Sequence, residues 1–393
     1  MNTLKYYVLN LSNTFSLVVA LFLCSGLLKS LLNVLGQNLP FDITTATGLL
    51  IFALMFVCKK FIQHQHLGVI FFLFLFTMWV IFSSTYTTSS HYYLIKLIKT
   101  GQIWAAFLAG YYIVIKNREI YFFKIMILLS IIIGAIYTFG VIYFALANKN
   151  WDEITAAYLG ISLLCSFAFT ALIVFNKRLF KPLTLIVLIV ISLITMFGSG
   201  GRGGILFSAI SFIAYAVFER KNSKQIYSGV LVITLAIVVA YNLSDEIKLL
   251  FERSIYRLSF LFSEEKGNSV NQRFELINFT LNKIADNPIF GYGLGSFSKE
   301  YYNIDGRYYP HNIILEIWFE LGLIGLIIFG MLLLLLFIKF DVKKNIVYII
   351  LLLPPLFNSL KSLDFTEHRL MFFCFGMILS LSNNKTLFNL KKN

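Results

Sequence analysis

The sequence predicts an all-α, polytopic membrane protein of about twelve transmembrane helices with one large helical extracytoplasmic loop. Three observations predict it. Of 393 residues, 58% are apolar and 13% charged, against about 45–50% and about 25% in soluble domains. Apolar runs near twenty residues recur along the chain, the length at which a helix rising about 1.5 Å per residue crosses about 30 Å of hydrocarbon. Lysine and arginine cluster between alternate runs, as the positive-inside bias requires. This composition excludes an ordinary cytosolic enzyme, a disordered chain and a repeat fibre.

The runs lie at about 11–29, 43–58, 67–86, 94–115, 120–146, 154–175, 182–198, 204–219, 226–243, 319–338, 346–362 and 369–383. With both termini in the cytoplasm, the inside segments hold Lys5, Lys59 and Lys60, Lys116 to Lys124, Lys177 to Lys181, Arg220 to Lys224, Lys339 to Lys344, and Lys385 to Lys392. The formal net charge of +14 is therefore mostly topology and not a nucleic-acid footprint. Cys24, Cys58, Cys165 and Cys374 all fall inside apolar runs and read as packing residues. The first run stays as an anchor: Leu23 before Cys24 does not suit a lipoprotein cleavage box, and no small-x-small site follows.

Three regions result: nine spans in 1–243, an extracytoplasmic loop in 244–311, and three spans in 312–393. A loop this long between membrane helices is where function is expected. Within it, Ser244 to Phe262 reads as an amphipathic helix, and Val270, Phe274, Ile277, Leu281 and Ile284 form a second stripe ended by Asn287-Pro288. The loop thus reads as a cap on the bilayer surface, with Arg273 at the margin of that stripe. Gly291, Gly293 and Gly295 alternate along Ile289 to Phe297, which permits close approach of the backbone to a ligand. The spacing is not that of a dinucleotide loop.

Tyr308-Tyr309-Pro310-His311-Asn312 follows, then Ile313 to Leu321, then Gly322-Leu323-Ile324-Gly325 opening the tenth span. His311 is the loop's only histidine. At the mouth of a helix it suits a general base or an acceptor for a substrate hydroxyl. Between the seventh and eighth spans, Gly198-Ser199-Gly200-Gly201-Arg202-Gly203-Gly204 outlines an anion site: free N–H groups of a glycine turn, a helix N-terminus and one guanidinium. Glu316 and Glu320 share a helix face and are expected to orient His311 or to pair with Arg202 or Arg273. Lys96, Lys99, Arg257 and His368-Arg369 read as helix-end anchors, and His64-x-His66 as a solvated pair. No spacing suits three or four metal ligands, so neither metal nor cofactor is expected.

His311-Asn312, nine residues, Gly322, two residues, Gly325, preceded by Asn287 to Gly293 and by a Gly-Arg turn, resembles the O-antigen ligase and polymerase superfamily of bacterial surface-polysaccharide assembly. The motifs cover about 196–330; the other spans match in number, hydropathy and topology. The resemblance implies a GT-C-like fold in the cytoplasmic membrane with its active site on the extracytoplasmic face. It implies a glycan on undecaprenyl diphosphate, transferred without metal and with inversion to the next lipid-linked repeat by a polymerase, or to the lipid A core by a ligase. His311 matches the essential histidine, and Arg202 and Arg273 match the diphosphate-binding arginines; Gly201 stands where the family's turn has Ser. Asn312, Glu316, Glu320, Arg257 and Arg369 are supporting candidates. Membrane lipids, a chain-length regulator and a flippase are the implied partners, and nucleic acid is not one. Polymerase is favoured by the compact chain and its Tyr-Pro-His-Asn-Ile-Ile-Leu-Glu run. The reading from another class, a twelve-span transporter or lipid-linked oligosaccharide flippase, lacks two similar six-span halves, and midmembrane charges are scarce.

Overall fold

The structure is a computed structural model and describes residues 2–34, 41–57, 62–146, 158–199, 201–218, a few single positions between 238 and 259, 268–338 and 340–382. The helices in chain order are α1 (Asn2–Val34), α2 (Ile43–Val57), α3 (Leu67–Ser83), α4 (Tyr92–Ile115), α5 (Glu119–Leu146), α6 (Tyr158–Val174) and α7 (Pro182–Gly198). They continue as α8 (Arg202–Phe218), α9 (Asn268–Asp286), α10 (Phe297–Tyr302), α11 (Ile313–Ile338), α12 (Val342–Ser359) and α13 (Arg369–Leu381). Among the described residues there is no strand.

Every predicted run but the ninth coincides with a helix. The ninth, at 226–243, lies almost wholly outside the described residues, as do Cys58, Arg257 and most of 244–262. Five helices are long and apolar enough to cross a membrane by length and composition: Asn13–Leu32 in α1, His64–Ser83 through α3, α4, Glu119–Gly140 in α5, and α11. The described residues are all-helical, and their long apolar helices are those of a membrane protein.

The described residues divide into two compact units. The first comprises 1–47, 116–266 and 346–355. Its centre is α6, buried along nearly its whole length, apolar but for one strip of Ser162, Ser166 and Thr170. Tyr137 of α5, Ile161, Cys165, Phe169 and Ile173 of α6, and Leu193 and Met196 of α7 form one buried cluster there.

The second unit comprises 48–115, 267–345 and 356–393. α4 packs along α13, and α11 packs against α3 and α9. The α4–α13 contact is backbone to backbone: a Cβ at Gly110 would overlap the Phe373 carbonyl, and one at Gly376 the Phe107 carbonyl. Small residues at such crossings replace the hydrophobic drive that lipid does not supply.

α9 departs from its predicted stripe. Leu276, Thr280 and Ile284 are buried, whereas Phe274 and Leu281 are half exposed. The helix carries two apolar strips sharing Ile284, and the strip that packs is the one that accommodates Thr280, whose hydroxyl is satisfied by the Leu276 carbonyl. Arg273 lies three, seven and eleven residues before those buried positions, so it stands on the packed face.

α11 is broken at Gly322, whose φ of 67° and ψ of −174° interrupt the helical ladder. The residue is thus a break inside the helix, where the sequence pattern had the span begin. A Cβ there would also overlap the Ile289 carbonyl. Gly322→Ala is expected to destabilise the protein by about 3 kcal/mol or more, combining left-handed strain with overpacking. Gly330→Ala, with open space around it, should be neutral or slightly stabilising; thermal unfolding of the solubilised protein compares the two.

Candidate active site

A break in an apolar helix leaves carbonyl and N–H groups without partners, and in a membrane protein these must be satisfied by protein. The Asn287 to Gly295 segment does this. Tyr292 N–H donates to Phe319 O at 2.9 Å and Gly293 N–H to Glu320 O at 2.9 Å. Leu323 N–H donates to Pro288 O at 2.8 Å, and Trp79 Nε1 donates to Leu321 O at 2.8 Å. Gly291, Gly293 and Gly295 all have positive φ, and their close approach is to protein: to the α11 backbone for Gly291, to the α3–α4 connection for Gly293, and to Tyr93 for Gly295. The expected approach to a ligand is corrected accordingly. The alternating glycines wrap the segment round the α11 break, where side chains leave no room.

Beneath this loop lies a cluster of charges. Lys96 of α4 is completely buried, as are Glu316 and Glu320 of α11. Lys96 Nζ donates to Glu316 Oε1 at 2.6 Å and to Glu320 Oε1 and Oε2 at 2.8 and 2.9 Å. The remaining carboxylate oxygens are used as well. Glu316 Oε2 accepts from Phe365 N–H at 2.9 Å, and Glu320 Oε2 also accepts from Gly295 N–H at 2.9 Å. Lys96 is therefore an internal counter-ion and not a helix-end anchor. The two glutamates pair with it, in place of the expected Arg202 or Arg273 or of orienting His311 directly. Four residues separate them, one helical turn, so both carboxylates reach one ammonium.

A second tier of charges surrounds the 360–368 loop. Lys99 donates to Asp364 Oδ2 at 3.3 Å and to Glu367 Oε1 at 2.7 Å, and Arg307 meets Glu367 Oε2 at 2.6 Å. Tyr92 Oη donates to Asp364 at 2.9 Å. Burial opposes charge on Asp364, but Lys99, Lys96, Thr366 and Arg307 hold it well below the usual carboxylate range. Lys99, too, belongs to this network.

His311 sits in the left-handed region, with φ of 58°, an unusual conformation for a residue with a Cβ. Asn312 fixes the turn: its Oδ1 accepts from Ile314 N–H at 3.0 Å and Leu315 N–H at 3.2 Å, capping α11. The Tyr309 ring lies 4.5 Å from the imidazole. The Lys361 carbonyl accepts from the ring, and Leu363 N–H donates to the Tyr309 hydroxyl. Buried Nδ1 has no hydrogen-bond partner, which assigns it the lone pair of a neutral imidazole. Burial first, then the positive charges of Arg273, Arg307 and Lys361, bring His311 down to about 4. The site thus holds a neutral base beside cations, able to accept a proton or to hold a hydroxyl near an anion.

Asp305 carries no sequence signal and is central to the loop. Its carboxylate accepts from Ser89 Oγ at 2.7 Å, from Ser90 N–H and Oγ, and from His91 and Tyr92 N–H. Although burial opposes it, these donors hold Asp305 at about 2. A carboxylate at the start of α4 also complements the helix dipole. The Lys96 pairing had a readable signal: a lysine inside a span and two glutamates inside another require each other.

The structure thus brings His311, Asn312 and Arg273 together. Arg202 lies in the first unit, at the first position of α8. There Gly204 N–H donates to Ser162 Oγ at 3.1 Å, Ser162 Oγ donates to Gly201 O at 2.8 Å, and Gly201 N–H reaches Ser199 Oγ. The N–H groups of Gly201 and Gly204 are therefore engaged, which corrects the expectation of a free glycine turn. Arg369 begins α13, half-buried. His66 is buried, its Nδ1 2.9 Å from Tyr111 Oη and its Nε2 3.2 Å from Ser382 Oγ, so of the predicted solvated pair His64 alone is exposed. Among the described residues, no three His, Cys, Asp or Glu side chains form a metal-ligand set.

Lys96→Met is expected to cost about 3–5 kcal/mol, because two buried carboxylates lose their cation. Combining it with Glu316→Gln and Glu320→Gln should recover most of that loss in thermal unfolding. If His311 accepts a proton in its neutral form, kcat/KM, which reports the free protein, should stay level as pH falls through 6 and decline only near 4. A decline centred near 6.5 would mean an unperturbed imidazole.

Comparison with protein families matches residues 187–330 to the family described as O-antigen ligase. That stretch contains Arg202, Arg273 and the α11 break with His311. No curated protein matches the chain.

Proposed function

We propose that this member of the O-antigen ligase and polymerase superfamily transfers a glycan from an undecaprenyl diphosphate carrier to a sugar hydroxyl. The observation that carries the proposal is His311, a neutral imidazole whose buried Nδ1 has no hydrogen-bond partner, set beside the positive charge of Arg273. In this reading the acceptor oxygen attacks the anomeric carbon of the donor, and the bond from that carbon to phosphate oxygen breaks. The electron pair leaves with the lipid diphosphate, the acceptor proton passes to His311 Nδ1, and the anomeric centre inverts. Diphosphate is already a good leaving group, so a fixed guanidinium that stabilises its developing charge serves the step.

Anionic donor also changes the base. The charges of Arg273, Arg307 and Lys361 depress His311, and a bound diphosphate offsets them, raising the basicity of Nδ1 once donor is in place. The reaction takes place on the extracytoplasmic face of the bacterial cytoplasmic membrane, with both termini inside. A chain-length regulator and a flippase are its proposed partners. Polymerase, with the next lipid-linked repeat as acceptor, is the first reading on the strength of the Tyr309 to Glu316 run. The second reading is a ligase with the lipid A core as acceptor.

His311→Ala and Arg273→Ala should lower transfer by at least about a hundredfold with normal protein levels, and Cys24→Ala should be silent. Arg202→Lys, at the position that the resemblance gives to the diphosphate, should fail if recognition is bidentate. A surface-polysaccharide gel from a deletion strain separates the readings. A core bearing a single repeat means polymerase; a bare core with polymer accumulating on the carrier means ligase; a normal ladder contradicts both.

A further inference from the structure

Beside His311 the chain builds an aromatic surface that neither the fold nor the transfer step uses. Phe279, Phe297 and Phe319 belong to a buried or half-buried cluster packed between α9 and α11. Tyr301 lies on it, its ring 4.8 Å from Phe279. The rings then step outward: Tyr301 to Tyr302 at 4.5 Å, and Tyr302 to Tyr308 at 4.5 Å with their planes tilted by 49°. Tyr308 at the end of the series is 47% exposed. It is three residues before His311, at most about 11 Å of extended chain, and Tyr309 between them touches the imidazole.

This surface is held rigidly although it is open. Asp305 ties its loop to the start of α4, Ser298 Oγ donates to Ile304 O at 2.6 Å, and Asn303 makes the left-handed turn out of α10. Packing alone does not require an exposed tyrosine at 308, since the buried cluster closes at Tyr301. Rigid aromatic rings with polar edges, fixed before ligand arrives, are suited to a ligand with one apolar face and polar margins. The C–H face of a sugar ring is such a ligand.

We infer that Tyr302 and Tyr308 form a stacking subsite for the acceptor glycan, holding a sugar within one or two rings of His311 so that its hydroxyl meets the imidazole. This inference rests on the proposed function. It assigns the two tyrosines to acceptor binding and not to the diphosphate, which has no face to stack.

The test uses the full chain in lipid nanodiscs and the host's own repeat-unit glycan attached to an alkyl anchor without diphosphate. That probe accepts but cannot donate. With lipid-linked donor saturating, Tyr308→Ala and Tyr302→Ala should each raise the probe's KM about tenfold, with kcat within about twofold of wild type. Tyr308→Phe should keep wild-type values, because the ring face and not the hydroxyl makes the contact. Direct titration of the probe should give the same ratio in Kd. Unchanged KM and Kd in Tyr308→Ala would overturn the subsite and leave an interfacial tyrosine. A KM increase for donor alone, or a Tyr308→Phe defect as large as that of Ala, would overturn it equally. If wild type transfers nothing to the probe yet binds it in a Tyr308-dependent manner, the polymerase reading of the proposed function fails and the glycan subsite stands.

Discussion

One buried ammonium fixes the geometry on which the rest of the second unit depends. Lys96 is completely removed from solvent, and leaving its charge unpaired there would cost several kcal/mol. It therefore demands two carboxylates, and Glu316 and Glu320 supply them from one face of α11. Each glutamate also accepts a backbone N–H from elsewhere: Glu316 from Phe365 on the 360–368 loop and Glu320 from Gly295 on the glycine segment. A single ionic centre thus registers α4, α11 and two loops at once. Such a cluster adds little net stability over a well-packed apolar one; what it adds here is a definite arrangement of the segments that present His311.

The break at Gly322 extends the same logic. It exposes carbonyls of Phe319 to Leu321; Tyr292 and Gly293 N–H answer the first two and the Trp79 indole N–H the third. Irregular backbone at membrane depth is tolerated where protein satisfies it. The helix α11 begins at Ile313 with Asn312 as its cap, and His311, one residue earlier, adopts a left-handed conformation. Its imidazole is then clamped by Lys361 behind and Tyr309 beside. Strain at this one residue is consistent with a site whose orientation matters more than local comfort.

Much of this was legible in the residues. Apolar length and basic alternation gave the helices, and Asn287-Pro288 ended α9 where expected. The spacing of His311, Gly322 and Gly325 located the region that the family match covers. What was not legible is long-range pairing. Nothing local in α4 says that Lys96 turns inward, although a charge inside an apolar run is itself a request for a partner. Asp305 is an ordinary loop aspartate until the start of α4 is placed against it. The α9 stripe misled because two apolar strips on one helix are equivalent until a neighbour selects between them, and Thr280, polar by type, belongs to the one that packs. The glycines of both motifs were correctly read as demanding close approach, but to protein backbone and side chains and not to a ligand.

Under the proposed function, His311 and Arg273 together address the reacting bond, the histidine from the acceptor side and the arginine from the diphosphate. The most direct measurement is a structure of the protein in nanodiscs with a non-cleavable undecaprenyl diphosphonate glycan bound. The expected result is diphosphonate oxygens within hydrogen-bonding distance of the Arg273 guanidinium, with the anomeric carbon turned toward the His311 imidazole. A diphosphonate seated away from Arg273, or an anomeric carbon shielded from His311 by protein, would contradict it.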